Sequence, residues 1–237
     1  MNTQQIEQFL STEFDGFTVE LNLEHERGDI ILGRPPFNVI AMSQRDILRQ
    51  VFEAFDAHSG IRVIVLRAQG EHFSSGGDIK GFLEASPEHV SKLAWNGVGF
   101  ELSLACDFRI ASETTRYALP EQNLGQIPGS GGSARLQKMI GITRTKHIVM
   151  RAKRISGQQG YDWGFVTECV PDADLESTVD AMVDELRRFS PLAQRTAKKL
   201  INDNEDASLK VAIEMEGHCY SRLRSSADFK EGVEAFH

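Results

Sequence analysis

The sequence predicts an α/β fold on three observations. Strand and helix patterns alternate along the first half, a β-branched run ends directly in a glycine-rich loop, and everything from 175 onward carries helical periodicity alone. The expected organisation is a core at 1–174 followed by a helical region at 175–237, the latter small enough to be a packing or assembly unit.

Each element follows in order. "FTVELNLEHERGDIILGRP" alternates apolar and polar residues on either side of a polar turn, so a hairpin is expected from Phe17 to Leu32. A helix should come next, with Ser43 placed to cap it. Ile47, Leu48, Val51, Phe52 and Phe55 recur at helical spacing, and Arg45, Arg49 and Glu53 are assigned to the wet face. "IRVIVLRA" reads as a buried strand running into "QGEHFSSGGDI". Beyond Pro171, Leu175, Val179, Met182, Val183 and Leu186 form an amphipathic stripe. Ser190-Pro191 opens a second helix in N-cap and N1 positions, and Leu209, Ile213 and Leu223 mark a third. No repeat or low-complexity stretch interrupts this order.

Composition narrows the function classes. Hydrophobic residues make up 41% of 237 and charged residues 25%, ordinary globular usage, and no apolar run is long enough for a membrane span. A net charge of -8 and a pI of ≈ 5.4 argue against a nucleic-acid partner, because neutralising phosphates needs a basic face. Cys106, Cys169 and Cys219 are too scattered for a disulfide framework or a metal cluster. With no basic-then-apolar leader in "MNTQQIEQFLSTEFDG", the expected compartment is the reducing cytoplasm.

Three segments carry possible chemistry, each with a plain structural alternative. In Phe73-Ser74-Ser75-Gly76-Gly77-Asp78 the glycines could simply turn the chain after a strand; the Lys of a phosphate-binding P-loop and the spaced glycines of a dinucleotide fingerprint are absent. In "GVGFELSLACDF", Glu101 could be a first-turn glutamate favoured by the helix dipole. In "RYALPEQNLGQIPGSGG", Pro120-Glu121 could be an ordinary turn. Glu101 nonetheless stands between Phe100 and Leu102 just after two glycines. A carboxylate set into apolar surroundings is one whose proton affinity rises toward neutral pH.

Taken together, these segments resemble the enoyl-CoA hydratase/isomerase, or crotonase, superfamily. The matching pieces are "PPFNVIAMS", "HFSSGGDIK", "GVGFELSLACDFRIASE", "YALPEQNLGQIPGSGGSARL", "YDWGFVTECVP" and "DFKEGVEAF", in family order over nearly the whole chain. The resemblance implies a ββα spiral core with a C-terminal helical region, an acyl-CoA thioester as substrate, no cofactor beyond the CoA of that substrate and no metal. It also implies a homotrimer or a dimer of trimers. It assigns the oxyanion hole to the backbone N–H groups of Ser75 and Val98, and substrate contact to Ser75, Gly76, Gly77, Asp78 and Val98. Such amides would stabilise the enolate oxygen that forms when a nucleophile adds to an unsaturated thioester. Glu101 and Glu121 align with the glutamate pair of hydratase members, Glu101 activating water and Glu121 protonating C2, which makes reversible hydration of the C2=C3 bond the expected activity. An isomerase or a C–C bond-cleaving or hydrolytic activity is the alternative within the superfamily, and a CoA-thioester- or RNA-binding protein the alternative outside enzymes.

Other residues keep plain readings. His72 is a solvated loop residue, Cys106 a core residue with no basic neighbour in sequence, and Lys80 a point charge within reach of CoA phosphates. The stretch with Phe82, Leu83, Leu93 and Trp95 is expected to border the acyl pocket. From Asp78 to Val98 the chain is shorter than the family pattern, and no strand leading into the second motif can be found.

Overall fold

The structure, a computed structural model, describes residues 2–79 and 98–236. The proposed acyl-pocket border, Lys80 and the missing strand therefore lie outside the described residues.

The expected hairpin forms as β1 (Phe17–Asn22) and β2 (Arg27–Leu32), antiparallel with Phe17 opposite Leu32 and Asn22 opposite Arg27. The chain then crosses through α2 (Met42–Ala57), which follows the short N-terminal α1 (Thr3–Leu10), and returns as β3 (Val63–Ala68) parallel to β2. A parallel return requires such a crossover. β3 is half-buried along its length rather than fully buried; among the described residues it is the edge of the sheet. The cap of α2 is also not Ser43. The helix starts at Met42 behind Ala41, and the Gln44 side chain accepts the Ala41 amide at 2.6 Å in place of a hydroxyl cap.

After the second glycine motif come α3 (Phe100–Leu104), β4 (Ile110–Ser112), β5 (Arg116–Tyr117) and a single 3₁₀ turn, Glu121–Leu124. Helix α4 (Gly132–Met150) is interrupted at Gly141, whose φ of 78° breaks the helical path. Short β6 (Ile155–Ser156) pairs with β5, and α5 (Gly157–Trp163) leads to β7 (Glu168–Val170), which lies parallel to β4.

Two apolar clusters fill this part. One joins α1, the hairpin and α2 through residues such as Leu10, Ile30, Leu48, Val51 and Phe55. The other gathers Leu119, Leu136, Ile148, Ile155 and Phe165. The segment 98–104 belongs to both: Val98 and Leu102 pack against the first cluster, Phe100 and Leu104 into the second. Glu101 is thereby carried into the seam.

The chain divides into two compact units, Met1–Ala181 and Met182–His237, and the boundary falls inside α6 (Leu175–Arg187). The first turns of α6 belong to the first unit, where Asp180 pairs with Arg27 at 2.6 Å and Glu176 with Arg67 at 3.6 Å. In the second unit, Ser190 caps α7 (Pro191–Asp203) as expected, its Oγ accepting the Ala193 amide at 3.0 Å. Ser208 caps α8 (Leu209–Leu223) in the same way. A further helix, α9 (Ala227–Phe236), was not singled out by periodicity. Among the described residues no helix is long and apolar enough to cross a membrane.

Candidate active site

The glycine loop after β3 is laid out along residues 37–40. Ser75 N–H donates to the Phe37 carbonyl at 2.8 Å, Ile40 N–H to Gly76 O at 3.0 Å and Asp78 N–H to Ile40 O at 3.3 Å. Gly76 N–H is taken by Ser74 Oγ at 3.1 Å. The expectation for Ser75 is corrected by this ladder, because its amide is spent on Phe37. Of residues 75–78, Gly77 is the one whose N–H meets no acceptor among the described residues, and Val98 N–H likewise meets none. Sequence reasoning missed this because the acceptor for Ser75 comes from a segment far upstream.

The two glycine motifs touch. Gly99, at φ 53°, places its α-carbon so that an added Cβ would lie 3.2 Å from Gly76 Cα and N. Only a residue without a side chain fits both the backbone angle and the approach. Gly76 itself has φ 106°, so the amide-bearing turns meet through glycine on both sides. Val98 precedes this contact and Glu101 follows it in the first turn of α3, as the sequence predicted.

Glu101 is 4% exposed. Its Oε1 accepts Ser130 N–H at 2.8 Å and Gly132 N–H at 3.0 Å, the amides at the start of α4. Burying a carboxylate is tolerated when its oxygens are hydrogen-bonded and a countercharge is near. The countercharge is Arg45. It was expected in water, yet it is only 4% exposed, because it shares the inward face of α2 with Leu48 one turn on. Burial pushes its guanidinium down from the ordinary arginine value, and the charge of Glu101 pushes it back up.

Glu121 opens the 3₁₀ turn and is half-buried. Its Oε2 is shielded from solvent and has no hydrogen-bond partner among the described residues. Burial raises its carboxyl above the ordinary glutamate value, its own backbone amide works against that, and the charge of Glu101 adds to the rise. The two carboxylates thus sense each other electrostatically but differ in environment.

His72 stacks on Phe37 with centroids 5.5 Å apart, which gives it a structural role in the loop. Cys106 is half-buried and does have a basic neighbour, a correction to the sequence reading: Arg109 Nη1 donates to the Cys106 carbonyl at 2.5 Å and to Ser103 O at 3.2 Å. That arginine closes the C-terminal end of α3, where carbonyls are left over. Among the described residues no cluster of His, Cys, Asp and Glu could hold a metal ion.

The family model for enoyl-CoA hydratase/isomerase matches residues 90–237, more than half of the chain. An enoyl-CoA isomerase/hydratase of Mycosarcoma maydis is 32% identical over 200 residues, 74% of this chain and 73% of that protein. A 2,3-dehydroadipyl-CoA hydratase of Escherichia coli (strain K12) is 29% identical over 207 residues, 78% of this chain and 81% of its own length. The crystal structure of an enoyl-CoA hydratase subunit I from Geobacillus kaustophilus HTA426 superposes with a TM-score of 0.86 at 29% identity, covering 95% of this chain and 96% of that one. Fold and relatives define the class, an enzyme with the crotonase fold. Within it, the chain belongs to the enoyl-CoA hydratase/isomerase family.

Proposed function

We propose that this protein is an enoyl-CoA hydratase, adding water reversibly across the C2=C3 bond of an α,β-unsaturated acyl-CoA. The observation that carries the reading is the unequal glutamate pair beside two touching glycine turns. In the hydration direction the substrate carbonyl accepts hydrogen bonds from the amides of Gly77 and Val98. Gly77 replaces Ser75 in this role, since Ser75 N–H is committed to Phe37. Glu101, oriented by the amides of Ser130 and Gly132, takes a proton from the water whose oxygen attacks C3. The π electrons move to an enolate whose charge rests on the thioester oxygen. Glu121, whose burial favours its protonated form, delivers the proton to C2. Ser75, Gly76 and Asp78 contribute as the frame of the loop.

A second reading, double-bond isomerisation, is favoured by the name of the Mycosarcoma maydis relative. A panel of 2-enoyl and 3-enoyl CoA thioesters decides between them. Loss of conjugated-thioester absorbance with crotonyl-CoA supports hydration, appearance of it from a 3-enoyl-CoA supports isomerisation, and turnover of neither removes both. The protein is further proposed to be cytoplasmic and to assemble as a homotrimer or a dimer of trimers. The second unit leaves Ile201 69%, Leu209 76% and Phe236 91% exposed, apolar surface that a neighbouring subunit would cover. Light scattering should report at least a trimer at micromolar concentration; a monomer rules the assembly out.

A further inference from the structure

The geometry points to Asn38 and Ser74 as positioning residues that set the amide-bearing loop of the active site. The inference rests on the hydratase reading only in naming what the loop is for. Asn38 is 1% exposed and sits at φ 48°, a conformation that Asn tolerates better than most residues. Its Nδ2 donates to Gln69 O at 2.9 Å and to His72 O at 2.6 Å, and its Oδ1 accepts Arg34 N–H at 2.8 Å. One side chain therefore ties both ends of the turn that follows β3 to the segment before α2. Its main chain continues the work: Ser74 Oγ donates to Asn38 O at 2.7 Å while accepting Gly76 N–H at 3.1 Å.

These contacts account for the amides flanking Gly77. Ser75 is held by Phe37, Gly76 by the Ser74 hydroxyl and Asp78 by Ile40. In the parallel bridge between Ile40 and Gly77 the Gly76 carbonyl and the Asp78 amide both turn toward Ile40, so the Gly77 N–H lies on the other side of the chain from this ladder, one residue from the Gly76 backbone against which Gly99 presses. A hydrogen-bond donor serves an oxyanion only if it is fixed before the charge develops, and a displacement of about 1 Å can cost about 10²-fold in rate. Asn38 and Ser74 touch no substrate in this arrangement. They act through the Gly77 amide.

The test separates positioning from mere stability. Asn38→Ala, Asn38→Asp, Ser74→Ala and Ser74→Thr are compared with wild type for hydration of crotonyl-CoA, affinity for butyryl-CoA and the absorbance shift of bound cinnamoyl-CoA. That shift to longer wavelength reads polarisation of the thioester carbonyl and needs no turnover. Asn38→Ala is expected to lower kcat by about 10²-fold and Ser74→Ala by about 10-fold, with butyryl-CoA affinity held and the spectral shift reduced in both. Ser74→Thr, which keeps the hydroxyl, should restore the shift. Asn38→Asp loses both donated bonds and should behave like Asn38→Ala.

A full spectral shift in folded Asn38→Ala and Ser74→Ala overturns the inference, as does a loss of kcat matched by loss of affinity with the shift intact. If Asn38→Ala fails to fold, the Ser74 pair decides alone. A wild type that shifts the cinnamoyl spectrum, with the shift lost in the variants, upholds the positioning role even if no enoyl-CoA is hydrated; only the hydratase reading then falls. A wild type with no shift removes the oxyanion role and this inference with it.

Discussion

Glu101 and Glu121 are the same residue type in adjacent parts of one site, yet the chain treats them in opposite ways. Glu101 lies in the seam between two apolar clusters, is given two amides and interacts electrostatically with buried Arg45. Glu121 sits on a short turn with one buried oxygen left without a partner among the described residues. A carboxylate supplied with donors is fixed in place. One that lacks them is favoured in its protonated form. In the proposed hydration Glu101 is the proton acceptor and Glu121 the proton donor, and what distinguishes them is the surroundings of each carboxylate, not the residue type.

The largest expected effect breaks the pair outright. Glu101→Gln and Glu121→Gln should each reduce kcat for enoyl-CoA hydration by about 10²–10⁴-fold, with thioester affinity retained. The double variant should fall well short of the product of the two losses, because the groups act as a unit. Steady-state kinetics on the three variants checks this, and near-normal turnover in either single variant sinks the two-carboxylate mechanism.

A smaller effect is expected from moving Glu101 without removing it. In Gly132→Ala the new Cβ would lie 3.0 Å from Glu101 Cγ and Oε1, tighter than ordinary contact. The carboxylate has to shift, and kcat should drop by about 10²-fold or less while Glu121 and the glycine turns stay as they are. An unchanged kcat would mean that the position of Glu101 is not what the amides of α4 secure.

Next in size is the counterion. Arg45→Met should destabilise the fold by about 1–3 kcal/mol in a denaturant titration, since buried Glu101 loses the positive charge it senses. Arg45→Lys, which keeps the charge but not the guanidinium, should lose less. Equal stability of the methionine variant and wild type would remove Arg45 from the account of Glu101.

The smallest effect is a pH dependence carried by Glu121. Its carboxyl is raised on folding, so between the ordinary glutamate range and the raised value the folded state binds more protons than the unfolded one. Stability contributed by this group is complete at low pH and is lost as pH rises through that window. Glu121→Gln cannot ionise, so its melting temperature relative to wild type should improve across the window and level off at neutral pH. A constant difference at all pH values contradicts the buried, donor-poor environment of Glu121. In wild type the limb of activity that declines with rising pH should lie above the range of an ordinary glutamate.

Much of this site was legible from local patterns. The alternation in Phe17–Asn22 specified a strand with one buried face because side chains repeat with a period of two, whereas Arg27–Leu32, expected to alternate as well, is buried on both faces. Ser190-Pro191 specified a helix start because a hydroxyl before proline satisfies first-turn amides. The glycines at 76 and 99, and the carboxylates at 101 and 121, stood out because unusual residue types occupied apolar or turn contexts. Arg45 was misplaced because it lies on the edge of the α2 stripe, where periodicity alone does not say whether an aliphatic-stemmed cation faces water or a distant carboxylate.

The sequence by itself determined which elements form and which residues could do chemistry, since propensity, capping and periodicity act within a few residues. Tertiary structure decided which amide is open and which carboxylate is satisfied. Ser75 lost its expected role to a carbonyl of Phe37, and Glu101 gained its donors from Ser130 and Gly132. Hydrogen-bond partners of this kind are set by where the chain returns in space, and a buried polar group takes whichever partner that return supplies.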